Sequence, residues 1–343
     1  MNAPTPTAHP VAAETLPAAL YRDPAQWQAE RRGVFAKAWQ FFVHESVVAA
    51  PGAWAAETLA GFPLLVVRGQ DGVLRGFHNV CRHRAGPLSD GEAGVCEAVL
   101  TCRYHGWTYT LDGRLRAARD FGAAEVFDPR DFGLLPIRVE TWRGLVFVNI
   151  DMDAQALAPF VAPLERRLEG RDWGGLSVVL KRSHAMGCNW KTYVENYLEG
   201  YHVPAMHPGL DAEIDSGRYE VEVEGRVVVH TAPLREPGAV YDGLWVWLWP
   251  NLGINIYGQG VMLERMSPVG HDRTRLDYIY LMPAGETVAA ETLAMSDQVV
   301  AEDIWIVERV QENLNAGVYE TGRLSPRHEG AVAAFQAFVR DAT

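Results

Sequence analysis

The stretch from Asn189 to His207 places a carboxylate, Glu199, close to two imidazoles, His202 and His207. Such a group could hold a mononuclear metal ion. Five residues of helix turn through about 500°, so the two histidines cannot share one face of a straight helix. Pro204 disfavours helical geometry at the preceding residue. We therefore expect a helix carrying His202 to end there and His207 to return from the following turn; two ordinary structural histidines are the alternative.

A second set of potential ligands lies upstream, where each of two short segments supplies one cysteine and one histidine. Cys81 and His83 form the first pair, and Cys102 and His105 form the second. A zinc finger commonly keeps cysteines in one knuckle and histidines in the other, whereas here the two types are mixed. In a Rieske-type [2Fe–2S] centre, two thiolates hold one iron and two neutral imidazoles hold the other. The pattern predicts a Rieske cluster, with zinc as the alternative.

Two facing β-hairpin tips could present these four ligands. Backbone N–H groups near Gly86 and Gly106 could then bond the sulfurs and tune the reduction potential. The remaining cysteines, Cys96 and Cys188, have no matching partners and are predicted to be small buried apolar residues. Four cysteines in a chain of this length are too few for a disulfide framework.

The elements that must position these residues can be read from the apolar pattern. Short apolar runs from residue 42 onward predict a small antiparallel β domain, with turn signals at 71–72, 112–113 and 143–144. Helices are predicted at 23–39 and 154–169. The expected division is a lead-in with a packing helix (1–41), the β domain (42–153) and a second domain (154–343).

Composition excludes several classes of protein. With 343 residues and 48% apolar content, the chain can bury a large core. A net charge of −12 argues against nucleic acid or an anionic membrane as the main partner. No apolar run reaches the roughly 18 residues of a transmembrane helix, and the first residues lack the basic and apolar regions of a secretory signal. A cytoplasmic location is expected.

Taken in order, the segments CRH…CRYHGW and NWK…EN…YH…H resemble the α subunit of Rieske non-haem iron oxygenases, over most of the chain. The resemblance implies an α+β protein, with an N-terminal antiparallel β Rieske [2Fe–2S] domain and a helix-grip (START-like) catalytic domain. In the latter, a curved antiparallel sheet surrounds a helix-lined pocket. By the same resemblance, His202 and His207 match the two histidine ligands of a mononuclear Fe(II), whose third ligand is a carboxylate.

The carboxylate ligand is expected downstream, in a segment of helical periodicity at 290–316. Asp303 shares an apolar stripe with valines four residues before and after it, and the segment matches the ligand-bearing helix of the family at this position. Asp297 is the competitor, since apolar residues flank it at helical spacing. Glu302 and Glu312 fit a solvated acidic face better.

Glu199 lies three residues before His202, on the same face if both are helical. In the family, the corresponding carboxylate links a histidine of the mononuclear site to a Rieske histidine of the neighbouring subunit in a head-to-tail trimer. Most members carry aspartate there. Glutamate, together with the C-terminal segment, resembles the branch that acts on carnitine and related quaternary amines, and this branch implies a homotrimer.

Three tryptophans, Trp245, Trp247 and Trp249, alternate along one predicted strand, and Tyr257 follows. Alternation places the indoles on one face. Such an aromatic wall could hold an ammonium group by cation–π attraction or stack on an aromatic ring. It could equally be plain core.

The function implied is a terminal oxygenase that inserts oxygen from O₂ into a small organic substrate. For an N-methyl amine, hydroxylation gives a carbinolamine that loses formaldehyde; for an aromatic ring, it gives a phenol or a cis-diol. The implied cofactors are the Rieske cluster and the mononuclear Fe(II). The implied partner is a separate NAD(P)H-dependent flavin and iron–sulfur reductase, with or without a ferredoxin. A Rieske electron carrier with a non-catalytic binding domain is the rival class, against which His202, His207 and Asp303 argue.

Overall fold

Antiparallel strands form three sheets in this computed structural model, which describes residues 13–123, 126–237, 239–258 and 260–343. The strands, in chain order, are β1 (Gln40–His44), β2 (Ala53–Leu59), β3 (Phe62–Arg68), β4 (Leu74–His78), β5 (Ala93–Val95), β6 (Val99–Thr101), β7 (Thr108–Thr110), β8 (Leu115–Ala117), β9 (Pro136–Trp142), β10 (Leu145–Asn149), β11 (Leu176–Met186), β12 (Glu220–Glu224), β13 (Val227–Thr231), β14 (Tyr241–Leu248), β15 (Leu252–Tyr257), β16 (Val261–Pro268) and β17 (Thr274–Pro283).

Eight α-helices accompany these sheets in the part of the chain that the structure describes. They are α1 (Ala19–Arg22), α2 (Pro24–Glu30), α3 (Leu157–Arg167), α4 (Trp190–Tyr197), α5 (Val203–Met206), α6 (Pro208–Glu213), α7 (Ala290–Asn315) and α8 (Gly330–Ala342). A π-helical turn, Arg31–Phe35, follows α2, and 3-10 turns occur at Glu45–Val48, Pro129–Phe132 and Ser216–Arg218. Within the described ranges, no helix combines the length and the hydropathy that crossing a bilayer requires.

The first ten strands build the β unit predicted near the N-terminus. Seven of them form a sheet in the order β1-β10-β9-β4-β3-β2-β5, and the other three form a small sheet, β6-β7-β8. The turn signals are confirmed, since β3 pairs with β4, β7 with β8 and β9 with β10. Arg143 and Gly144 both have positive φ, 50° and 78°, the backbone that a tight two-residue hairpin requires.

A larger curved sheet, in the order β11-β17-β16-β15-β14-β13-β12, forms the second unit. Its central strands β15 and β16 are buried along their whole length on both faces, whereas the edge strand β12 is largely exposed. On one face, Trp245 and Trp247 pack with residues of α4, α7 and α8. On the other, Val246 and Leu248 pack with α3 and with β1 and β10. The helices that carry the candidate ligands therefore rest on a rigid sheet.

The predicted helix at 23–39 is only partly correct. It consists of α2 and the π-helical turn, and Glu30, the last residue of α2, is fully buried. Its carboxylate accepts hydrogen bonds from Lys191 Nζ at 2.5 Å and Trp190 Nε1 at 2.8 Å. A tertiary ion pair thus holds the N-terminal segment against α4, which no local pattern in residues 23–39 reveals.

A buried arginine joins the two sheets. The Arg265 guanidinium, on β16, donates to Glu57 of β2 at 2.7 Å and to Asp277 of β17 at 2.8 Å. It also reaches the backbone carbonyls of Phe41 and Phe42. Because planar guanidinium groups hold two carboxylates in a fixed geometry, this contact fixes the orientation of the two sheets.

Candidate metal centres and the adjoining cavity

The two Cys–His segments adopt the same backbone conformation. In the first, Cys81 N–H donates to the carbonyl of residue 86 and Cys81 O accepts from residue 85; in the second, Cys102 bonds residues 107 and 106 in the same way. The matching positions, Ala85 and Gly106, both have positive φ, 55° and 74°. The second loop is the tip of the β6–β7 hairpin, whereas the first connects β4 and β5, which belong to one sheet but do not pair. One hairpin tip, not two, presents the ligands.

These loops bring the four side chains together. Both thiols are buried, and the rings of His83 and His105 lie 4.6 Å apart between centroids. His83 Nδ1 is buried without a hydrogen-bond partner among the described residues. A Cβ at Gly86 would lie 2.9 Å from the Cys102 sulfur, so the glycine leaves room beside it. Two thiols, two imidazoles and an unpaired buried ring nitrogen fit the donor set of a Rieske cluster.

Hydrogen bonds to the two sulfurs come from one side chain, that of Tyr109, and, as expected, from backbone N–H groups beside Gly106. Tyr109 is fully buried, and its hydroxyl accepts from Arg82 N–H and lies 3.2 Å from the Cys81 sulfur, to which it can donate. Burial raises the pKa of Cys102, and the backbone N–H groups of Tyr104 and His105, which face its sulfur, counteract this. Gly106 N–H instead closes the loop.

The second group of ligands assembles from two segments of the catalytic unit. His202, His207 and Asp303 each offer one ligand atom, and these atoms lie within 4.8 Å of one another. Helix α4 ends at Tyr197, before the first histidine, and Pro204 begins the short helix α5 rather than ending a longer one. His202 is the N-cap residue of α5 and His207 is its C-cap residue. The two histidines therefore converge, although the predicted helix carrying His202 is absent.

Each of these histidines has a carboxylate on Nδ1. His202 Nδ1 lies 2.6 Å from Glu199 Oε1, and His207 Nδ1 lies 2.6 Å from Glu302 Oε2. Both Nε2 atoms are left to face Asp303, at 3.9 and 3.0 Å. Metal-binding histidines commonly donate their other ring N–H to a carboxylate, which fixes the ring orientation. The expectation that Glu302 belongs to a solvated face is therefore corrected.

Asp303 is buried on α7. Its Oδ1 accepts a hydrogen bond from Asn196 Nδ2 at 2.7 Å, so α4 also orients this carboxylate. The competitor, Asp297, forms an ion pair with Arg182 near the surface. Burial by itself lowers the pKa of His207, but the bonds to Asp303 and Glu302 outweigh it and raise that pKa. The arrangement stabilises positive charge at the point where the three ligand atoms meet.

Comparison with known proteins identifies the family. Residues 38–128 match the model of the Rieske [2Fe-2S] domain, and residues 174–230 and 222–343 match that of the ring hydroxylating alpha subunit (catalytic domain). The carnitine monooxygenase oxygenase subunit of Escherichia coli K12 is 31% identical over 94% of this chain and 91% of its own length. The chain belongs to the Rieske non-haem iron oxygenases. It therefore carries a Rieske cluster and a mononuclear iron and receives electrons from a reductase.

Other similar proteins and solved structures include further oxygenases. The chloroplastic choline monooxygenase of Beta vulgaris is 29% identical over 98% of the chain and 78% of its own length. A crystal structure of the quaternary ammonium Rieske monooxygenase CntA superimposes with a TM-score of 0.88 at 27% identity, covering 98% of this chain and 97% of that one. Naphthalene 1,2-dioxygenase shares the fold, with a TM-score of 0.77 at 20% identity over 97% and 94%. The expected Rieske and helix-grip architecture is confirmed.

A cavity of about 80 Å³ adjoins the three residues that could hold a metal ion. Aromatic side chains form much of its wall, namely those of Tyr193, Tyr197, Tyr219, Tyr241, Trp245 and Tyr278. Apart from Asp303, the carboxylates that line it are Glu199 and Glu264, and none of the described lining residues is lysine or arginine. The cavity is thus aromatic and electronegative.

Glu264 is the buried acid of this cavity. Its carboxylate accepts from Tyr193 O–H at 2.6 Å and from Asn255 Nδ2 at 3.0 Å. Burial raises its pKa to about 7, although these hydrogen bonds oppose the rise. A carboxylate with such a pKa is readily stabilised in its charged form by a nearby cation.

The predicted aromatic wall is only partly realised. Trp245, Trp247 and Trp249 all belong to the core on one face of the sheet, as the alternation indicates, and Trp245 lines the cavity. Trp247 and Trp249, however, pack against Phe335 at ring distances of 5.6 and 5.9 Å, because α8 covers this part of the sheet. Tyr257 lies behind the lining rings. Trp247, Trp249 and Tyr257 are therefore core residues, which is the alternative interpretation of this aromatic pattern.

Two residues that sequence reasoning missed left a signal. Glu264 directly follows the apolar residues 261–263 within strand β16, where burial of a charge usually has a purpose. Glu302 adjoins Asp303 in the chain. A metal-binding histidine usually donates its other ring N–H to an acceptor. An acid next to Asp303 was therefore a candidate acceptor for His207 Nδ1.

Proposed function

We propose that this oxygenase hydroxylates a quaternary or N-methyl amine at a carbon bonded to nitrogen. The observation that carries this proposal is the aromatic cavity with Glu264 buried in its wall. Aromatic faces and a carboxylate attract an alkylated ammonium group, whereas an arene would leave the buried acid uncompensated. The relatives named for carnitine and choline support the same substrate class.

The proposed ligands are distributed over two centres. Four residues of the paired loops hold the Rieske cluster: Cys81, His83, Cys102 and His105. Three residues beside the cavity hold the mononuclear iron: His202, His207 and Asp303. When bound, these groups supply one-electron transfer and the activation of O₂. The proposed domain border near residue 153 lies between β10 and α3.

The chain's own residues position the reactants. Glu199 and Glu302 hold the protons of the two imidazoles on Nδ1, so that each Nε2 stays available. Asn196 fixes the Asp303 carboxylate. The aromatic walls exclude water and orient the ammonium group, which places one of its C–H bonds toward the ligand atoms.

The proposed reaction balances as a monooxygenation. The C–H substrate, O₂, two electrons and two protons give the hydroxylated carbon and water. The carbinolamine then breaks its C–N bond, and the products are an aldehyde, a tertiary amine and one proton. For an N-methyl group, the aldehyde is formaldehyde.

The proposed assembly is a homotrimer served by a separate NAD(P)H-dependent reductase. The likeness to a structure described as revealing inter-subunit electron transfer supports this arrangement. In it, Glu199 connects His202 to the Rieske domain of the neighbouring subunit. Sedimentation analysis of the iron-loaded protein tests the trimer, and a monomer at micromolar concentration would contradict it.

Turnover across a panel of amines tests the proposed activity. The iron-loaded protein with a reductase and NADH is offered quaternary amines and aromatic acids, and products are identified by mass. We expect NADH consumption and tertiary amine release with at least one quaternary amine. Coupled turnover of arenes alone would overturn the proposal.

A further inference from the structure

A second cavity lies between α4, α7 and the segment around Tyr21. Its volume is about 760 Å³, within the range of cavities that hold small-molecule ligands. It shares no described lining residue with the catalytic cavity. Apolar and aromatic side chains form most of its wall, among them those of Leu16, Tyr21, Val310, Leu314, Val318 and Tyr319. We call this space the α4–α7 cavity.

Glu195, on α4, is the one charged residue among the described residues that line this cavity. Its Oε1 accepts hydrogen bonds from Tyr21 O–H at 2.6 Å and from Gln336 Nε2 at 2.9 Å. Its Oε2 accepts none from another described residue, and the side chain stays partly exposed where it faces the cavity. One carboxylate oxygen is therefore available to a donor inside the cavity.

The cations close to this wall are bound elsewhere. Lys191, one turn earlier on α4, is fully buried and donates to Glu30 at 2.5 Å. The Arg22 guanidinium donates to a backbone carbonyl of α7 at 3.2 Å. Burial raises the pKa of Glu195 to about 7, although its two hydrogen bonds oppose the rise. A cation bound beside this carboxylate would stabilise its charged form.

Thr192 adds a second polar atom at the same wall. It lies three residues before Glu195 and is buried, and its Oγ1 has no hydrogen-bond partner among the described residues. Val310, Val318 and Tyr319 of the apolar wall are instead exposed. The α4–α7 cavity thus combines a polar wall at α4 with an apolar wall that is open to solvent.

We propose that the α4–α7 cavity binds an amphiphilic amine, a protonated alkylammonium whose N–H donates to Glu195 Oε2 and whose alkyl chain packs on the apolar wall. The N–H is the distinguishing feature of this ligand. A quaternary ammonium with the same chain brings the charge but no donor, so it leaves Oε2 without a hydrogen bond. Because the two cavities are separate, this inference goes beyond the proposed function and does not depend on it.

Two amines with the same chain test the inference. They are N,N-dimethyloctylamine, which is protonated at neutral pH, and octyltrimethylammonium. Titration calorimetry of the iron-loaded protein, without O₂ and without reductase, measures both dissociation constants. A charge-assisted hydrogen bond corresponds to roughly 10- to 100-fold in affinity, so we expect the tertiary amine to bind about tenfold more tightly or better. No preference for it in the wild type would overturn the inference without recourse to any variant.

Three variants locate the binding site. Glu195→Gln keeps the shape of the side chain and should abolish the preference for the tertiary amine. Glu312→Gln removes the same charge from the exposed face of α7, where it pairs with Arg309, and should preserve the preference. Glu264→Gln alters the catalytic cavity and should preserve it too. If Glu264→Gln abolishes the preference and Glu195→Gln does not, the amine binds in the catalytic cavity and the inference is wrong.

Discussion

Both histidines of the mononuclear centre direct Nε2 toward Asp303 because a carboxylate lies at each Nδ1. Glu199 was recognised in the sequence for its proposed link to a neighbouring subunit. Glu302 was not, and its contact with His207 makes the second imidazole equivalent to the first. The proposed centre thus comprises three ligands and two positioning acids.

Replacing Glu302 by alanine should weaken iron binding without removing a ligand. Loss of the acceptor frees the His207 ring to rotate, and removal of such outer partners commonly costs 10- to 100-fold in metal affinity. Iron titration of the apoprotein measures this effect. The control is Glu312→Ala, on the exposed face of the same helix and paired with Arg309, which should bind iron as the wild type does. Equal affinities in both variants would contradict the positioning role.

Glu264 should give substrate binding a dependence on pH. Its pKa of about 7 means that the carboxylate is charged above pH 7 and neutral below it. A cationic substrate loses that attraction as the pH falls, so KM should rise roughly tenfold between pH 8 and pH 6. Glu264→Gln keeps the shape but not the charge, and its KM should be high at both values. A variant with the same pH profile as the wild type would exclude this role.

At the level of elements, the sequence identified the right segments but not always their geometry. Pro204 was expected to end a helix that carries His202, whereas it lies in the first turn of α5, and α4 has already ended at Tyr197. Glu199 then caps the following turn by accepting from the backbone N–H of His202. Local propensity locates the end of a helix within a few residues. The conformation of the turn that follows depends on side-chain capping.

The long helix α7 was predicted almost to its ends. Its 26 residues follow a clear apolar period, and Asp303 lies among the buried positions.

The two loops of the Rieske unit were predicted from the types and spacing of their ligands. Nothing in that spacing indicates the backbone path, so the sequence could not show that only one of the loops is a hairpin tip. The spacing of the cysteine and histidine ligands still predicts the cluster, because a loop that is not a hairpin tip can present the same two side chains.

Helix α4 depends on an ion pair that only the tertiary structure reveals. Lys191→Met should destabilise the protein by about 3–5 kcal/mol, because the buried Glu30 then loses the partner of its ion pair. The double variant Lys191→Met with Glu30→Leu should recover much of this loss. Urea unfolding monitored by tryptophan fluorescence measures both.

A surface pair provides the comparison for this prediction. Lys181 forms a longer ion pair with the exposed Glu92, at 3.5 Å. Lys181→Met should therefore change stability by no more than about 0.5 kcal/mol. If the Lys191 and Lys181 variants unfold at the same urea concentration, the buried pair does not secure α4.

At the scale of the whole molecule, two motifs some 80 residues apart predicted the architecture through the family resemblance that they carry. What they could not predict is the contact between the two units. Arg265 joins the two sheets through Glu57 and Asp277, and Glu57 lies on β2, which is distant in sequence from the consecutive strands β16 and β17 that carry the other two residues. The cavity follows from the same folding, since Glu264 and the tyrosines that line it come from separate elements.

The central claim is that one chain holds two cooperating iron centres that oxygenate a quaternary amine. Its most direct test is a single turnover of the iron-loaded, fully reduced protein, mixed with a quaternary amine and O₂ in the absence of reductase. One electron from each centre supplies the two that monooxygenation requires. We expect tertiary amine to appear in proportion to mononuclear iron while the Rieske spectrum becomes oxidised, and His202→Ala to keep that spectrum but form no product. Equal product from wild type and His202→Ala would contradict the account.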